Sequence, residues 1–298
     1  MMDIGKIAVI HVAKYLDGND RLCHHDCMFC MERMEPGDSD EKLPSIEEVD
    51  RSLFQYTSER NLSKIYIAGG EPTLREDFGL IVQTVQKYCR NIILSTSCDF
   101  ENNVDMLDSI KQLGIKHVAT SVHSHLPSIH DRLTGVEGSF EKTISAIRDL
   151  IDMGISITVN AVINSYNVCE MRDIVEFFEK ERLQIDKLTL THYMNHGNAY
   201  YHQELKFNVD EYSEYVSDAI TKAAEVDYMV TFRNFPICLD YRLAEVCEGV
   251  ECIDIIDLNA EMLDVMDEKA PAFTKDKCHE CEWFTKCPHY LMSNYGEE

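Results

Sequence analysis

Ile65-Tyr66-Ile67-Ala68-Gly69-Gly70-Glu71-Pro72 is a short apolar run that stops at two glycines, a carboxylate and a proline. Its length and β-branched content predict a buried strand. The glycines let the backbone beyond it approach another group closely, and its carbonyl oxygens, with the Glu71 carboxylate, can accept hydrogen bonds from an ammonium. Outward from this unit the pattern repeats, with strands predicted near 7–12, 65–68, 92–96, 117–122, 155–163 and 187–191. Amphipathic stretches lie between them. Ser45 and Glu48 form a capping-box pattern ahead of Val49, Leu53 and Phe54, and Ser139 precedes Phe140, Ile144, Ile147 and Ile151 at helical spacing. Gly114 and Gly154 follow helical stretches where a C-terminal cap belongs. Six strand-then-helix units ending near Glu225 predict an α/β fold, a parallel sheet with right-handed crossovers closed into a partial, TIM-like (β/α)6 barrel.

In such a barrel chemistry belongs at the C-terminal ends of the strands. Polar residues collect there. A cysteine loop follows the first strand, Gly69 to Pro72 the second, Ser95-Thr96-Ser97 the third and Ser121-Val122-His123-Ser124-His125 the fourth. Asn160 lies in the fifth strand, and His192-Tyr193 closes the sixth. The loop reads Cys23-His24-His25-Asp26-Cys27-Met28-Phe29-Cys30, a C-x3-C-x2-C spacing. Thiolates select iron-sulfur clusters and zinc. A cubane cluster wants four ligands, so three cysteines would leave one iron open to a cofactor or substrate. A zinc knuckle is the other reading of the same three thiols.

The chain of 298 residues is 45% hydrophobic, yet no apolar run approaches the ~18 residues of a membrane span. The start, Met1-Met2-Asp3-Ile4, lacks the order of a secretory signal. A cytoplasmic protein without a membrane partner is expected. Twelve cysteines in that compartment point to metal rather than disulfides. Cys89, Cys98 and Cys169 stand apart and read as small core residues. The formal charge of −25, from 53 acidic and 28 basic residues, excludes a nucleic-acid partner held through phosphates.

Beyond Glu225 the alternation is expected to stop, which divides the chain into a barrel at 1–226 and a smaller unit at 227–298. Strands are predicted near 228–235 and 251–258. Cys278, Cys281 and Cys287 form a C-x2-C-x5-C array, and Cys238 would complete a set of four, with Cys247 and Cys252 as rivals for that place. A fully ligated metal holds structure or relays electrons, and both Fe-S and zinc fit four cysteines.

The cysteine spacing with Phe29 before its last member, together with Gly69-Gly70-Glu71-Pro72, resembles the radical S-adenosylmethionine (radical SAM) superfamily. The tail resembles that family's auxiliary-cluster extension, SPASM or its shortened twitch form. The resemblance implies a [4Fe-4S] cluster on Cys23, Cys27 and Cys30 whose open iron chelates S-adenosylmethionine. Reductive cleavage then yields a 5'-deoxyadenosyl radical that takes a hydrogen atom from substrate. It places Phe29 beside the cofactor, the methionine amino group at Gly69, Gly70, Glu71 and Pro72, the ribose at Ser121 and His123, and the adenosyl group near Asn160. Some relatives carry a cofactor-binding arginine where this chain has Thr134, so Arg132 or another cation would substitute. Leu291 stands where SPASM proteins have a further cysteine, which implies one auxiliary [4Fe-4S] cluster. An electron donor such as flavodoxin or ferredoxin is implied as well.

The segment 130–167 and the C-terminal cysteines most resemble peptide-maturing members, so oxidative modification of a peptide is the expected reaction. With 22 residues ahead of Cys23, a separate protein is expected to present the peptide. The alternative is a twitch-type dehydrogenase or epimerase acting on a sugar or aminocyclitol. Cys98, His192, Tyr193 and His196 are its candidate acid-base or hydrogen-donor residues. A non-enzymatic Fe-S electron carrier is the reading from another class.

Overall fold

A computed structural model of the chain describes residues 6–13, 22–31, 43–100, 103–247, 253–256, 280–282 and 287. Its strands are β1 (Lys6–Ala13), β2 (Leu62–Gly69), β3 (Ile92–Ser95), β4 (His117–Ser121), β5 (Ser156–Ile163), β6 (Lys187–His192), β7 (Met229–Arg233) and β8 (Ile253–Ile256). All pair in parallel in one eight-stranded sheet of order β7-β6-β5-β4-β3-β2-β1-β8. The order is linear, with β7 and β8 at its edges, as an open barrel requires. The six strands expected of the barrel are β1 to β6. The alternation runs further than the sequence suggests, because a helix after β6 returns the chain to place β7 alongside it and β8 pairs with β1.

The helices are α1 (Ile46–Glu59), α2 (Phe78–Gln86), α3 (Asn103–Gln112), α4 (Pro127–Thr134), α5 (Ser139–Asp152), α6 (Met171–Lys180), α7 (Ser213–Ala223) and α8 (Leu243–Val246). The capping box forms as the sequence predicts: Ser45 Oγ accepts from the Glu48 amide at 3.2 Å, and the Ser45 amide donates to Glu48 Oε2 at 2.7 Å. Gly114 and Gly154 sit at positive φ just past α3 and α5.

Alternation along the strands divides the sheet into two faces. Ala8 and Ile10, Ile65 and Ile67, Ile157 and Val159, and Leu188 and Leu190 are fully buried and pack with Val49, Ile81, Ile147 and Phe178 of the helices in one continuous core. The intervening residues line the inner face, where over β4 to β7 polar side chains stand among a few apolar ones such as Ala119 and Val162. There His117 Nε2 meets Thr158 Oγ1 at 2.7 Å, Thr191 Oγ1 donates to Asn160 Oδ1 at 2.6 Å, and the Thr189 and Thr231 hydroxyls lie 3.1 Å apart. Among the described residues no helix is long and apolar enough to cross a membrane.

Candidate functional site

The cysteine loop lies past the C-terminal end of β1 and is moored from several sides. The amides of Asp26 and Met28 donate to the carbonyls of Thr134 and Leu133, the last turn of α4, at 2.8 and 3.0 Å. The Glu71 amide donates to Leu22 at 2.6 Å. Across the barrel mouth, the Asn198 amide donates to Cys30 O at 2.8 Å and its Nδ2 to Cys27 O at 2.7 Å. Met28 and Phe29 seat the loop on a second small core with Leu133, Tyr193, Ala199 and Leu205. Cys23, Cys27 and Cys30 are half-buried. Burial, then the neighbouring Cys30 and Cys23, push the Cys27 thiol well up. Among the described residues no three metal-ligating side chains stand converged on one point. It is the chemistry of the donor set, three thiols on one short loop with the charges of Cys30 and Cys23 felt at Cys27, that fits a metal centre, whose positive charge would relieve their mutual repulsion and favour the thiolates.

The glycine turn beside this loop is fixed by contact. Gly69 has φ of +123°, and a Cβ there would fall 1.9 Å from the Ala13 carbonyl oxygen, so only glycine fits. The Gly70 amide donates to that same oxygen at 2.7 Å. Glu71 departs from its expected role as an acceptor for an ammonium. Its carboxylate is buried, with Oε1 accepting from the Thr73 amide and hydroxyl (3.2 and 2.6 Å) and Oε2 from the Thr96 hydroxyl (2.9 Å) and the Ser97 amide and hydroxyl (2.8 Å each). Five donors saturate its roughly four lone-pair sites. Glu71 therefore knots β2 to the end of β3, and the acceptors this turn can offer a ligand are its backbone carbonyls.

Ser121 and Asn160 are cross-strand neighbours on β4 and β5 at the same end of the sheet. The Asn160 side-chain oxygen is engaged by Thr191, which directs its amide nitrogen elsewhere. His123 is buried, its Nδ1 accepting from the Val162 amide at 3.2 Å and its ring meeting Phe29 edge-on at 4.6 Å. Its proton therefore sits on Nε2, and burial holds its pKa well below the usual histidine range. His130 stacks behind it at 5.5 Å, accepts the His123 amide on Nδ1 at 3.1 Å, and is lowered to about 4 by burial. Thr134 is buried against the Ser139 hydroxyl at 2.7 Å, and Arg132 lies over the Tyr166 ring with Nη2 donating to its hydroxyl at 2.8 Å.

The candidate catalytic residues separate. His192 shares a face with Leu188 and Leu190, packs against Phe207 and Phe235, and is lowered to about 4 by burial, so it belongs to the side that faces the helices. Tyr193 lies in the small core under the cysteine loop, where burial pushes its hydroxyl up to about 12. His196 is exposed in the bend before Gly197. Cys98 takes a left-handed φ of 58°, and burial pushes its thiol up to about 12. It borders a cavity of about 310 Å³ shared with Phe100, Asn103, Glu141, Lys142 and Ser145.

Of the C-terminal cysteines, Cys238 is exposed in the turn Ile237–Leu239, while Cys247 is raised to about 11 by burial and by nearby Cys287, with Arg233 opposing. Cys281 is half-buried. Cys278 and Cys252 lie outside the described residues.

Two moorings carried no sequence signal. Asn198 reaches Cys27 across 171 positions. Asp99 is buried between His25 Nε2 at 3.3 Å and Lys142 Nζ at 2.8 Å, across 74 and 43 positions. Asp99 is lowered to about 2, the His25 and Lys142 contacts outweighing a burial that acts the other way.

A family model for the radical SAM superfamily matches residues 21–178. The probable GTP 3',8-cyclase of Thermococcus kodakarensis is 30% identical over 159 residues, covering 53% of this chain and 50% of its own. The GTP 3',8-cyclase of Aquifex aeolicus is 29% identical over 165 residues, with the same 53% and 50% coverage. The chain thus spans about half the length of these curated relatives. Among solved structures, native anSMEcpe with bound AdoMet superposes with a TM-score of 0.65 at 16% identity, over 94% of this chain and 88% of that one. SuiB of Streptococcus suis bound to precursor peptide SuiA gives 0.57 at 18%, over 76% and 48%. At these identities both structures speak for the fold alone.

Proposed function

Because the chain belongs to the radical SAM superfamily, we propose that it cleaves S-adenosylmethionine reductively and uses the radical to oxidise a peptide side chain bound at the barrel mouth. The observation that carries the chemistry is the loop of Cys23, Cys27 and Cys30 moored beside a glycine turn that is pinned both to β1 and to that loop. When bound, a [4Fe-4S] cluster on these thiolates, with S-adenosylmethionine on its open iron, supplies one electron and a 5'-deoxyadenosyl radical.

The chain's own residues do the rest. The carbonyls of the Gly69–Glu71 turn accept from the methionine ammonium, and Glu71 holds that turn rigid through Thr96 and Ser97. Phe29 and His123 form one wall. The neutral His123 ring offers Nε2–H as a donor, while Ser121 and Asn160 offer polar groups on the neighbouring strand ends. Met28, Phe29, Leu133 and Tyr193 keep water away from the loop on its barrel side. Cys238, Cys278, Cys281 and Cys287 would hold one auxiliary [4Fe-4S] cluster able to take the electron left on substrate. Cys247, near Cys287, is the rival for the place of Cys238.

The peptide reading draws on anSMEcpe, which superposes along most of both chains and whose structures include one with the Cp18Cys peptide. A second reading, a small polar substrate, is favoured by the hydroxyl- and amide-lined inner face of β4 to β7 and by the GTP 3',8-cyclase relatives.

The test is anaerobic reconstitution with iron and sulfide, addition of dithionite and S-adenosylmethionine, and detection of 5'-deoxyadenosine. Replacing Cys23, Cys27 and Cys30 by alanine should abolish it, and none from the wild type would refute the enzyme reading. Synthetic peptides and, separately, aldoses and aminocyclitols then decide the substrate. A peptide that loses two mass units and accelerates cofactor cleavage supports the first reading; stimulation by the small molecules alone supports the second.

A further inference from the structure

We infer that Asn198 is a positioning residue for the cysteine loop, fixing its geometry from across the barrel mouth before any metal arrives. The loop hangs between two supports of opposite sense. On one side its amides at Asp26 and Met28 donate to the end of α4, and on the other its carbonyls at Cys27 and Cys30 accept from Asn198. Cys27 O also takes the Cys30 amide at 3.1 Å, so Asn198 Nδ2 fills the second of its two acceptor sites.

The support itself is rigid. Asn198 is only 3% exposed. Gly197 before it has φ of +59°, and a Cβ there would fall 2.4 Å from Cys30 O and 2.9 Å from Met31 Cα, so the two backbones touch directly. Ala199 after it is buried in the small core with Met28 and Phe29, and Leu205 O, just beyond, accepts from the Ser165 amide at 3.1 Å. A side chain locked on both flanks can orient the loop at little further entropic cost. Without the Nδ2 donor, the Cys27 carbonyl would keep only the Cys30 amide as partner, and more of its partial negative charge would face the neighbouring thiols.

This inference rests on the cysteine trio being a metal site, as proposed above, but its first measurement needs no metal. Asn198→Ala and Asn198→Asp would be compared with wild type by amide hydrogen exchange of the apoprotein, with the thermal midpoint and exchange in α6 as controls. A donor role and a space-filling role rank the variants oppositely. If Asn198 donates, the amides of Asp26, Met28 and Cys30 exchange about five-fold faster in the alanine variant, the effect of one lost hydrogen bond. They exchange faster still in the aspartate variant, whose carboxylate opposes the Cys27 carbonyl. If Asn198 only fills space, the isosteric aspartate stays close to wild type, and the assignment falls. Should the alanine variant not fold, the aspartate variant alone carries the comparison.

In reconstituted protein the cluster's midpoint potential should move negative in the order wild type, Ala, Asp, and a potential unmoved in both variants also overturns the assignment. If the wild-type trio takes up no iron, the metal reading fails on its own account. The exchange ranking still decides whether Asn198 holds the loop.

Discussion

Along β5, Ile157, Val159, Ala161 and Ile163 face the helices and are fully buried, whereas Thr158, Asn160 and Val162 line the inner face and are half-buried. The same division runs through β6, where Leu188 and Leu190 enter the large core and Thr189 and Thr191 bond across strands. The outer face removes apolar area from water and so carries most of the stability. The inner face exchanges one set of hydrogen bonds for another, at little net gain, and leaves polar groups for a ligand. Truncating Ile67, on the outer side of β2, should therefore cost far more than truncating an inner residue. Ile67→Ala is expected to lose roughly 2–5 kcal/mol in urea denaturation, while Asn160→Ala, on the inner face, loses about 1 kcal/mol or less. Equal losses would erase the distinction between the faces.

Histidines on the two sides sharpen it through pH. His192, on the helix side, has its pKa lowered to about 4 by burial, against ~6.5 in an unfolded chain. A folded value below the unfolded one means that stability is fully present above pH ~6.5 and is lost as pH falls toward 4, because the unfolded chain binds the proton first. At about 1.4 kcal/mol per pH unit, the fall between pH 6.5 and 5 approaches ~2 kcal/mol for such a ring. His130, also lowered to about 4, acts in the same window. Asp99 and Asp240, held at about 2, lose their contribution only below the ordinary carboxylate range and do not interfere. Urea midpoints at pH 7 and 5 should show His192→Phe flattening part of the dependence, with His130, His123 and His117, all lowered chiefly by burial, supplying the rest. A variant as pH-sensitive as wild type would mean that His192 is solvated.

His192 also shows where sequence reading stops. Its place in the chain is that of a polar residue closing a strand at the functional end, and the structure keeps it at that end. In a strand, however, neighbours point to opposite faces, so Thr191 turns inward and His192 outward, and one position decides which is a site residue. The apolar runs that form β1 to β6 are legible, as are the cysteine spacing and the glycine turn, because each is a local pattern. The 229–233 run is legible as a strand but not as a neighbour of β6, since nothing in its own residues names its partner. The knots are illegible for the same reason. Glu71 meets Ser97 across 26 positions, His25 meets Asp99 across 74, and Asn198 meets Cys27 across 171. Each pairs common polar residues whose meeting depends on the finished barrel.

The Glu71 knot joins the two faces, being a buried carboxylate at the functional end with a structural task. Glu71→Gln replaces one acceptor oxygen by a donor. Whichever oxygen is lost, either the Thr73 or the Ser97 amide is left buried without its partner, because a hydroxyl can rotate to accept but an amide cannot. The expected cost is about 1–3 kcal/mol in urea denaturation. The turn that loosens is the one proposed to hold the methionine ammonium, so KM for S-adenosylmethionine should rise more than kcat falls. A drop in kcat at unchanged KM would place Glu71 in the chemistry rather than under it.

The smallest effect belongs to the inner ladder itself. Thr191→Val keeps shape and removes only the donor to Asn160 Oδ1. The oxygen left behind is half-buried and can take a water, so stability should change by about 1 kcal/mol or less. Its consequence lies in orientation. With Thr191 present, Asn160 is held so that its amide nitrogen is turned away from β6 and its carbonyl is occupied; without it the side chain can flip and offer either group. If the inner face reads a ligand through Asn160, Thr191→Val should weaken cofactor or substrate binding severalfold while the urea midpoint barely moves. The same substitution at Thr189, whose partner is another hydroxyl able to turn to water, should leave binding near wild type. Matching behaviour at Thr189 and Thr191 would instead make the inner face a uniform polar lining, with no single strand end set apart for recognition.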